Sequence, residues 1–564
     1  MNAMHVLSAA EMQACDRATT EHYSIPSIDL MRNAAAAVGD FARKQFPEAR
    51  RVTVLCGTGN NGGDGMMAAR LLADAGLEVT TLLLGGPEKL AGDAAVAWSE
   101  LTKPMHGRVH IATNVQELAA HNHALAADLI VDAVLGTGFR PPLKGLALAT
   151  LEWMQNCPAP VLAPILAIDL PAGWPADETR ATPSGAVFPA DAVITFTAPK
   201  PAHVFGQLTR RWDQPVVVAP IGSADAAIVS TLGIDWAGSA LSLVQTPRAA
   251  TANKGNFGHV LVVGGSFGWV GGKAGAPAMT ALAALRAGAG LVTAAVPAPA
   301  LPVVASFAAE LMTWPLAATA AGQIAAKNLD AKQISALTSG KTVLAIGPGL
   351  GQSAETARFT TGLLSATKIP AVIDADALNI LAAKPALLAK LAKGRTLVLT
   401  PHPGEMARLM GSTVAEVQAN RLETARSFAK RMGVTLVLKG ARTLIAHPDG
   451  RVAVNTSGNP GMAKGGSGDV LTGLIAGLLA QHPEDAARAV QAAVYLHGLA
   501  ADLAVREADE HTVLAADSLA FLARAYQSRL HGFEVGGKNG YVWLQGDPAS
   551  GGLKAHEAGS IGMQ

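Results

Sequence analysis

The chain has 564 residues, of which 50% are hydrophobic and 15% are charged, and its formal net charge is +1. This length and apolar content predict two or three folded domains and exclude a disordered chain. A net charge close to zero, with both signs mixed along the chain, provides no field that would attract nucleic acid or a membrane surface. We therefore expect small-molecule ligands that are held by local geometry.

Cysteines, histidines and the opening segment indicate the compartment. Cys15, Cys56 and Cys157 share no C-x-x-C spacing, and the 15 histidines show no H-E-x-x-H or comparable ligand spacing, so a reducing compartment is expected. The opening MNAMHVLSAAEMQACDR lacks the basic start and apolar stretch of a secretory signal. No uninterrupted apolar run approaches about 18 residues, the length of a membrane span. The sequence predicts a cytoplasmic protein.

Apolar strand-like runs alternate with Ala/Leu-rich helical patterns along the whole chain. This alternation is typical of an α/β fold with mostly parallel, doubly wound sheets. The alternation of strand-like and helical patterns is interrupted near residues 221–258. We therefore predict an N-terminal domain at 1–225, a linker at 226–244 and a C-terminal domain at 245–535. Residues 536–564 are rich in Gly and polar residues and predict a loosely held tail. The first strand-like runs in the sequence are Val52–Leu55, Val79–Leu84, Leu129–Leu135, Val161–Leu170 and Ala192–Phe196.

The first strand runs into a glycine-rich loop, in VTVLCGTGNNGGDGMMAARLL at residues 52–72. A strand that enters a helix through glycines presents backbone N–H groups and suits anion binding. The next strand ends TTLLLGG without the acid that a NAD-binding Rossmann turn places on the ribose, which argues against simple redox NAD binding. Asn60, Asn61 and Asp64 add oxygen ligands, although a tight turn with glycines for packing alone remains an alternative.

Two further acids follow strands in this half. Asp132 lies at a strand end before the turn Gly136–Gly138, and Asp169 ends another apolar run. Because the carboxyl ends of parallel strands meet at one edge of a sheet, we expect these loops and the glycine loop to form one site. Each aspartate by itself could instead be a cap or turn residue.

The segments GNNGGDG, DAVLGTG and IDLPAGW, with the following SGAVFPADAVITFTAPKPA, resemble the epimerase domain of NAD(P)H-hydrate repair proteins. The resemblance covers nearly all of the first 220 or so residues. It implies a Rossmann-like domain that interconverts the R and S forms of hydrated NAD(P)H, with Asp169 as the candidate acid/base. The residues that would hold the hydrate are Asn60, Asn61, Gly62, Gly63, Asp64, Gly136, Thr137, Gly138, Phe139, Arg140, Pro141, Pro142 and Asp169.

The same resemblance implies a potassium ion beside the glycine loop. Asn61 and Asp132 match two of the family's ligands, and oxygen donors suit a hard cation. At the third ligand this chain has Ala172 where the family usually has Ser, so only a backbone carbonyl is available. Arg32 also replaces an acid of the family's LMENAG segment.

The motif NTSGNPGMAKGGSGDVLTGLIAGLLA, residues 455–480, dominates the C-terminal half. Gly465, Gly466 and Gly468 precede Asp469, and an apolar helix follows. Successive glycine N–H groups and a helix start form a concavity for a phosphoryl group, and Asp469 could accept a proton from an attacking hydroxyl. An N-cap aspartate after a flexible loop is the alternative.

Several other strand-end loops precede this motif. Lys439 and Arg442 follow a strand in KGART and could contact phosphates or belong to a solvated turn. His402 lies between two prolines in TPHPGE, where a histidine is expected near the edge of the sheet. IGPGLG, with Gly349, and DADALN, with two more aspartates, complete the set of loops.

Together with KGNFGHVLVVGGS and GGKAGAPAMTALAALRAGAGLVT, these motifs resemble the ribokinase-like ADP-dependent NAD(P)H-hydrate dehydratases over roughly residues 245–530. The resemblance implies phosphoryl transfer from ADP, with Mg²⁺, to the hydrate hydroxyl and then loss of phosphate. Lys464 replaces a small residue of the family and is either a phosphate contact or merely tolerated. ADP or AMP would be held by Lys439, Gly440, Ala441, Arg442, Thr443 and Gly468, and the hydrate by Ala276, Gly349, His402 and the base Asp469.

The sequence therefore predicts a bifunctional enzyme with NADHX, NADPHX (the hydrates of NADH and NADPH) and ADP as ligands, and we expect a homo-oligomer. One alternative is a small-molecule kinase or dehydratase whose N-terminal half is a non-catalytic nucleotide- or potassium-binding module. Ala172 and Arg32 keep that alternative open.

Overall fold

The computed structural model describes residues 3–103, 108–157, 163–245, 247–269, 271–532 and 540–546. The chain divides into two compact units, of which one contains Met4–Leu232 and the other Gly233–His531. We call them the N-terminal unit and the C-terminal unit. The division lies inside the segment 226–244 expected to be a linker, and Ile234–Trp236 within that segment is a buried strand.

The N-terminal unit is built on a parallel sheet with helices between the strands. The short strand β1 (Met4–His5) lies outside this sheet, whose strands are β2 (Arg51–Cys56), β3 (Glu78–Leu84), β4 (Val109–Ala112), β5 (Leu129–Ala133), β6 (Ile165–Ile168), β7 (Ala192–Phe196) and β8 (Val216–Ala219). Its helices are α1 (Ala9–Glu21), α2 (Ser27–Gln45), α3 (Asn60–Asp74), α4 (Gly92–Thr102), α5 (Val115–Ala120), α6 (Gly145–Gln155) and α7 (Pro201–Phe205). Strands β2 to β8 pair in the order β8-β7-β6-β5-β2-β3-β4, and every pair is parallel. Because β4 is last in this order, it forms one edge of the sheet.

Alternate side chains of each strand enter two different cores, one on each face of this sheet. On β2, Val54 and Cys56 belong to a cluster with Phe41 of α2 and Met66 of α3, whereas Leu55 belongs to a cluster with Leu151 of α6. Because strands covered on both faces need apolar residues at every position, they appear in the sequence as continuous apolar runs. The predicted doubly wound α/β class is confirmed.

The C-terminal unit has a larger mixed sheet. Its strands are β9 (Ile234–Trp236), β10 (His259–Val263), β11 (Phe267–Gly268), β12 (Gly271–Gly272), β13 (Leu291–Pro297), β14 (Met312–Leu316), β15 (Val343–Ile346), β16 (Ala371–Ile373), β17 (Leu397–Leu399), β18 (Thr435–Leu438), β19 (Leu444–Ala446) and β20 (Val452–Val454). The main sheet runs β9-β20-β19-β18-β17-β16-β15-β10-β13-β14. Its pairs are parallel except β18–β19 and β19–β20, and β11 and β12 form a separate hairpin.

Helices connect most of these strands. They are α8 (Gly275–Arg286), α9 (Leu301–Ala305), α10 (Ala331–Thr338), α11 (Ala354–Ala366), α12 (Ala375–Ala382), α13 (Pro385–Ala392), α14 (Pro403–Met410), α15 (Val414–Ala419), α16 (Arg421–Met432), α17 (Ser467–Gln481), α18 (Ala486–Glu507), α19 (Ala515–Ala520) and α20 (Leu522–Gly532). Short 3₁₀ turns occupy Pro87–Lys89, Asn122–Leu125, Asp225–Ala227, Ala237–Val244, Lys254–Phe257, Ala298–Ala300, Ala326–Leu329, Pro460–Met462 and Pro483–Asp485. Among the described helices, none is both long and apolar enough to cross a membrane.

Helix α17 packs against α8 closely enough for backbone contact. A β-carbon on Gly473 would lie 2.1 Å from the carbonyl oxygen of Thr280, and one on Gly477 would lie 2.7 Å from that of Ala284. The Thr280 hydroxyl also donates to the Asp469 carbonyl at 3.0 Å. These contacts fix the start of α17, which carries the candidate catalytic aspartate.

The last described segment returns to the N-terminal sheet. Strand β21 (Val542–Gln545) pairs antiparallel with β8, and the ring of Tyr541 lies 5.5 Å from that of Phe41. This differs from the loosely held tail expected at 536–564. Val542 and Leu544 are buried, and the aromatic rings of Tyr541 and Trp543 pack against the core of the N-terminal unit, so this short apolar strand is held although the flanking sequence is polar. Residues 547–564 lie outside the described residues.

The glycine-rich motif that follows β2 is mostly helix rather than loop. Helix α3 begins at Asn60, so the connecting turn contains only Gly57–Gly59. A β-carbon on Gly62 would lie 1.9 Å from the carbonyl oxygen of Gly57, and one on Gly57 would lie 2.1 Å from that of Val134. Packing therefore requires these two glycines, while nothing lies within 4 Å of the corresponding position at Gly59.

We predict that Gly62→Ala destabilises the N-terminal unit by at least about 3 kcal/mol, because backbone cannot move aside for the new methyl group. Denaturant unfolding of the full chain, followed by circular dichroism, measures this. Gly59→Ala is the matched control and should cost about 1 kcal/mol or less, since its methyl group meets open space. Equal losses of stability in the two variants would contradict the packing argument.

Candidate functional site

A cavity of about 580 Å³ lies at the carboxyl ends of β2, β5 and β6 in the N-terminal unit, and we call it the N-terminal cavity. Most of the predicted epimerase residues line it, as the convergence of parallel strand ends predicts. Those residues are Asn60, Asn61, Asp64, Gly136, Thr137, Gly138, Phe139 and Asp169.

The other predicted residues lie outside the lining. Gly62 and Gly63 belong to the first turns of α3, where a β-carbon on Gly63 would lie 2.7 Å from the Met31 side chain. Arg32 is half-exposed on α2 and forms an ion pair with Glu100 at 2.9 Å. The remaining predicted residues outside the lining are Arg140, Pro141 and Pro142.

Asp16 and Lys200 also line the cavity, and reasoning from strand ends missed both. Asp16 comes from α1, far from any glycine loop in the sequence. Lys200 lies in the segment APKPA, which entered the sequence analysis only as part of a resemblance. The signal that could have found Lys200 is its position just after β7, at the same sheet edge.

Asp169 is held by four hydrogen-bond donors. Its Oδ2 accepts from the backbone N–H of Thr137 at 2.7 Å and from the Thr137 hydroxyl. Its Oδ1 accepts from the Thr195 hydroxyl and from the buried Lys200 ammonium, each at 2.9 Å. Burial alone would raise the pKa of Asp169, but Lys200, then His203, outweigh it and hold the pKa well below its usual range. Asp169 is therefore an ionised carboxylate with its acceptor positions occupied.

Two other carboxyl groups of this cavity have raised pKa values. Burial, reinforced by the charge of Asp169, raises the pKa of Asp64 well above its usual value. Burial also raises the pKa of Asp16, against the opposing effect of Lys200. The Oδ1 of Asp16 and the Nδ2 of Asn61 are buried without a hydrogen-bond partner among the described residues. The cavity thus presents two carboxyls with raised pKa values, together with unpaired polar atoms, opposite one fixed anion.

The residues predicted to bind potassium adjoin this cavity. Asp132 is fully buried, and its two oxygens accept from the backbone N–H groups of Val134 at 3.1 Å and Ala172 at 2.8 Å. Burial nevertheless raises the pKa of Asp132 to about 7. Ala172 has no side-chain oxygen, and its carbonyl accepts from the N–H of Phe188. In the part of the chain that is described, no ammonium or guanidinium bonds to Asp132, so a cation would compensate its charge.

A second cavity, of about 320 Å³, lies in the C-terminal unit, and we call it the C-terminal cavity. It brings together three of the residues predicted to contact the hydrate. Ala276 begins α8, Gly349 follows β15, and Asp469 lies in the first turn of α17. The whole lining consists of Lys273, Ala276, Gly349, Ala375, Asp376, Asn379, Glu405 and Asp469.

Lys439 lies beside the start of α17. Its Nζ donates to Asp374 Oδ1 at 3.0 Å and lies 3.9 Å from Glu405 Oε2. A β-carbon on Gly468 would lie 3.4 Å from the same Nζ, so Lys439 and Gly468 meet as predicted from the sequence. Burial lowers the pKa of Lys439, but Asp374 and Glu405 outweigh it and raise the pKa overall. A permanent cation therefore stands next to the glycine N–H groups, where a phosphoryl group could bind.

Asp469 combines partial burial with a nearby negative charge. Burial raises the pKa of Asp469 to about 7, the charge of Asp374 adds to it, and Lys439 and Lys273 act in the opposite direction. A carboxylate that titrates near neutral pH can both accept and release a proton under working conditions. This arrangement suits a general base better than an N-cap, because Gly466 caps α17.

His402 caps the start of its own helix, α14, and does not line the C-terminal cavity. Its Nδ1 accepts from the N–H of Gly404 at 3.0 Å, and the Glu405 carboxylate accepts in return from the N–H of His402 at 2.9 Å. The half-exposed imidazole is absent from the cavity lining. A role in contacting the hydrate stays a prediction, whereas the capping of α14 is visible in the structure.

The segment from Lys439 to Thr443 forms the turn between β18 and β19. Arg442 donates to the carbonyl of Thr456 at 3.1 Å, and the Thr443 hydroxyl donates to the carbonyl of Gly440 at 2.9 Å. Arg421 of α16, which sequence reasoning missed, donates to the carbonyl of Ala441 and so holds this turn. Hydrogen bonds within the protein therefore fix the turn that carries the residues predicted to bind the nucleotide.

The Lys464 ammonium group bonds to the backbone of another loop. Its Nζ donates to the carbonyl oxygens of His511 and Val513, the latter at 2.7 Å. The glycine-rich segment is thereby tied to the loop before α19. This structural contact was included in neither of the two roles that the sequence left open for Lys464, a phosphate contact or mere tolerance.

Two α/β units, each with a carboxylate-lined cavity at strand ends, define a two-domain enzyme that acts on small molecules. A family model described as NAD(P)H-hydrate dehydratase matches residues 260–523, and one described as YjeF-related protein N-terminus matches residues 27–202. The bifunctional NAD(P)H-hydrate repair enzyme Nnr of Moorella thermoacetica is 41% identical over 92% of this chain and 96% of its own length. That of Escherichia coli is 36% identical over 92% of this chain and 93% of its own length.

This chain therefore belongs to the family of bifunctional NAD(P)H-hydrate repair enzymes, and the resemblance noted in the sequence is confirmed. Among solved structures, an ADP/ATP-dependent NAD(P)H-hydrate dehydratase from Bacillus subtilis, co-crystallised with ATP and Mg²⁺, is 33% identical. It covers 51% of this chain and 96% of its own, with a TM-score of 0.43.

We predict that Lys200→Met lowers the free energy of unfolding of the N-terminal unit by about 3–5 kcal/mol at neutral pH, because it leaves the Asp169 carboxylate buried and unpaired. The bonded carboxylate stabilises the parent above the unfolded-state pKa of about 4 and loses this effect as pH falls. The difference between parent and variant should therefore shrink in acid. Denaturant unfolding across pH measures both effects.

Two further variants test the cause of that loss. Adding Asp169→Asn to Lys200→Met should restore part of the stability, since no buried charge remains. Lys44→Met, which breaks the exposed ion pair with Asp40, should cost about 1 kcal/mol or less. A Lys200→Met loss that persists unchanged in the double variant and at low pH would show that the side chain acts through packing alone.

Proposed function

We propose that this enzyme repairs hydrated NADH and NADPH, with one reaction in each unit. The N-terminal unit exchanges the R and S hydrates, and the C-terminal unit converts the S hydrate to NAD(P)H while ADP becomes AMP and phosphate. The observation that carries the proposal is the meeting of Asp469, Lys439 and Gly468 at the start of α17. Membership in the bifunctional family supports the pairing of the two activities.

In the C-terminal cavity, Asp469 would take the proton of the hydrate hydroxyl. The hydroxyl oxygen then attacks the β-phosphorus of ADP, and the bond from that phosphorus to the AMP oxygen breaks. Lys439 and the N–H groups around Gly468 stabilise the charge on the transferred phosphoryl group. The carbon–oxygen bond of the phosphorylated hydrate then breaks, phosphate leaves with the electron pair, and loss of the neighbouring ring proton restores the reduced ring.

Mg²⁺ prefers oxygen ligands and commonly binds through one or two carboxylates together with substrate phosphates. Asp376 and Asp469 both line the C-terminal cavity, so their oxygens fit such an ion. Asp376 Oδ2 accepts from the N–H of Gly351 at 2.9 Å, which orients the carboxylate. When bound, the ion would neutralise charge on the diphosphate.

In the N-terminal cavity, the hydrate carbon that bears the hydroxyl must lose and regain its stereochemistry through ring opening or loss of water. Asp64, whose pKa is raised by burial, is suited to donate the proton to the departing oxygen. The sequence predicts Asp169 as the acid/base, but its depressed pKa and four bonded donors favour a different role. We infer that it stabilises positive charge that develops on the ring and positions Thr137.

The alternative of a kinase-like C-terminal half with a non-catalytic N-terminal module is not favoured. Bifunctional relatives match this chain across both units, and the N-terminal cavity contains carboxyls with shifted pKa values, which are typical of functional sites. Cytoplasmic location and a homo-oligomeric state stay predictions from the sequence.

With acid-treated NADH as the source of hydrates, we expect ADP and Mg²⁺ to restore reduced-nicotinamide absorbance, and both epimers to disappear. Without ADP, chromatography should detect only exchange between the epimers. Asp469→Asn should lower kcat of the dehydratase by about 100-fold or more, as loss of a general base does. Asp449→Asn, at an exposed carboxylate paired with Arg451, is the matched control and should be active.

The pH profile identifies the base independently. Because the pKa of Asp469 is raised to about 7, log kcat/KM of the parent should rise with pH up to about 7 and then level, and Asp469→Asn should lack this limb. Restoration of NADH by Asp469→Asn at the parental rate would refute its role as base.

Potassium is expected to compensate the buried Asp132. We predict that replacing choline by K⁺ at constant ionic strength raises the unfolding temperature of the parent, and that Asp132→Asn abolishes this rise. Ala172→Ser supplies the hydroxyl that the family usually has, so its half-saturating K⁺ concentration should fall by roughly threefold or more. A K⁺ effect that is equal in all three proteins would exclude a site at Asp132.

A further inference from the structure

Three histidines of the N-terminal unit converge away from the lining of its cavity. His110, His121 and His123 each offer one ring nitrogen, and these three atoms all lie within 4.8 Å of one another. The ring centroids of His110 and His121 are 4.6 Å apart, and His123 lies 6.0 Å from the first and 5.9 Å from the second. We call these residues the histidine cluster.

The cluster joins two separate elements at the edge of the sheet. His110 lies on the edge strand β4, opposite Leu82 of β3. His121 ends α5, and His123 belongs to the 3₁₀ turn Asn122–Leu125 that follows directly. The cluster is thus assembled by tertiary folding, which explains why no ligand spacing is visible in the sequence.

Buried hydrogen bonds fix the turn that carries two of the histidines. Between them, the Asn122 side chain accepts from the indole N–H of Trp153 at 2.6 Å. Immediately after them, the carbonyl of Ala124 accepts from the Thr53 hydroxyl at 2.6 Å. These bonds hold the residues on both sides of His123, so the turn keeps the rings of the cluster close together.

The proposed epimerase chemistry does not use these imidazoles, since none of the three lines the N-terminal cavity. The Nδ1 of His121 is buried and has no hydrogen-bond partner among the described residues. A buried ring nitrogen without a partner loses free energy of hydration with nothing in return. A metal ion bound through that nitrogen would remove the cost, and a metal ion bound to the cluster would also make the proximity of three imidazoles favourable.

We propose that the histidine cluster binds a borderline divalent transition-metal ion, represented by Zn²⁺, through three imidazole nitrogens. Zinc–nitrogen bonds of about 2.0–2.1 Å and three histidine ligands with one open position are common for this ion. Imidazole favours zinc, copper and nickel, whereas Mg²⁺ and K⁺ prefer oxygen, so the site is distinct from the two oxygen-donor sites of this enzyme.

The fourth position is open to water. Glu117 lies one helical turn before His121, but its Oε2 accepts from the N–H of Thr113 at 2.6 Å and from the Thr113 hydroxyl at 2.9 Å. This oxygen therefore helps to begin α5, and we do not include Glu117 among the proposed ligands. Zinc would link β4 to the α5 segment and stabilise the edge of the sheet.

Equilibrium dialysis of the full chain against ZnCl₂, followed by elemental analysis, tests the site. The parent should bind one more equivalent of zinc than the triple variant His110→Ala, His121→Ala, His123→Ala. Each single variant should bind that equivalent at least about tenfold more weakly, comparable with losses seen when metal sites are perturbed. Zinc should also raise the unfolding temperature of the parent but not of the triple variant.

His22→Ala removes an exposed histidine of the same unit and should bind zinc as the parent does. Undiminished dehydratase and epimer-exchange activities of the triple variant, with a parental circular dichroism spectrum, would establish that it is folded. Equal zinc stoichiometry in the parent and the folded triple variant would overturn the proposal. So would equal losses of affinity in His22→Ala and the single cluster variants, or displacement of zinc by millimolar Mg²⁺.

Discussion

In both units, the helix that carries functional residues is positioned by close backbone contacts. Gly57, in the turn before α3, lies against the carbonyl of Val134, which follows β5, and Gly473 of α17 lies against the carbonyl of Thr280 in α8. Neither contact leaves room for a β-carbon, so the start of α3 and the helix α17 each have a fixed position relative to their neighbours. The polar groups at the helix starts are fixed before any ligand arrives, and such preorganised groups stabilise charge without reorganisation during the reaction.

Asp169 and Asp469 each lie near a lysine, but the pKa of the first is lowered and that of the second is raised. The reason is geometric. Lys200 bonds directly to Asp169, and the pKa of that carboxyl falls well below its usual range. In the other unit, Lys439 bonds to Asp374, and the remaining negative charge helps burial to raise the pKa of Asp469 to about 7. In the first arrangement the lysine bonds to the aspartate itself, which becomes a fixed anion. In the second the lysine bonds to a neighbouring aspartate, and Asp469 becomes a proton acceptor. Which carboxylate the lysine bonds to therefore decides whether the aspartate stabilises charge or transfers a proton.

The N-terminal unit contains two kinds of donor set. Buried oxygens around Asp132 suit a hard monovalent cation beside the cavity, whereas imidazole nitrogens at the β4 edge suit a borderline divalent ion. Because the donor types differ, the two positions need not compete for the same ion. The cavity, with its fixed anion and its carboxyls of raised pKa, is a third environment, which we propose receives the organic substrate.

The sequence by itself determined the α/β class and the family, and it predicted the sheet edge at which ligands would bind. Alternating apolar runs and glycine-flanked motifs are local patterns, and parallel strand ends converge by geometry, so Asp64 and Asp469, which the sequence analysis named, line cavities, while their binding roles stay predictions. Only the tertiary structure decided that Lys200 bonds to Asp169 and that the histidine cluster forms. The tertiary structure also decided that β21 pairs with β8 in the N-terminal sheet and that His402 caps its own helix, α14. Those outcomes depend on strand order and helix rotation, which bring together residues far apart in the chain and leave no periodic trace in the sequence.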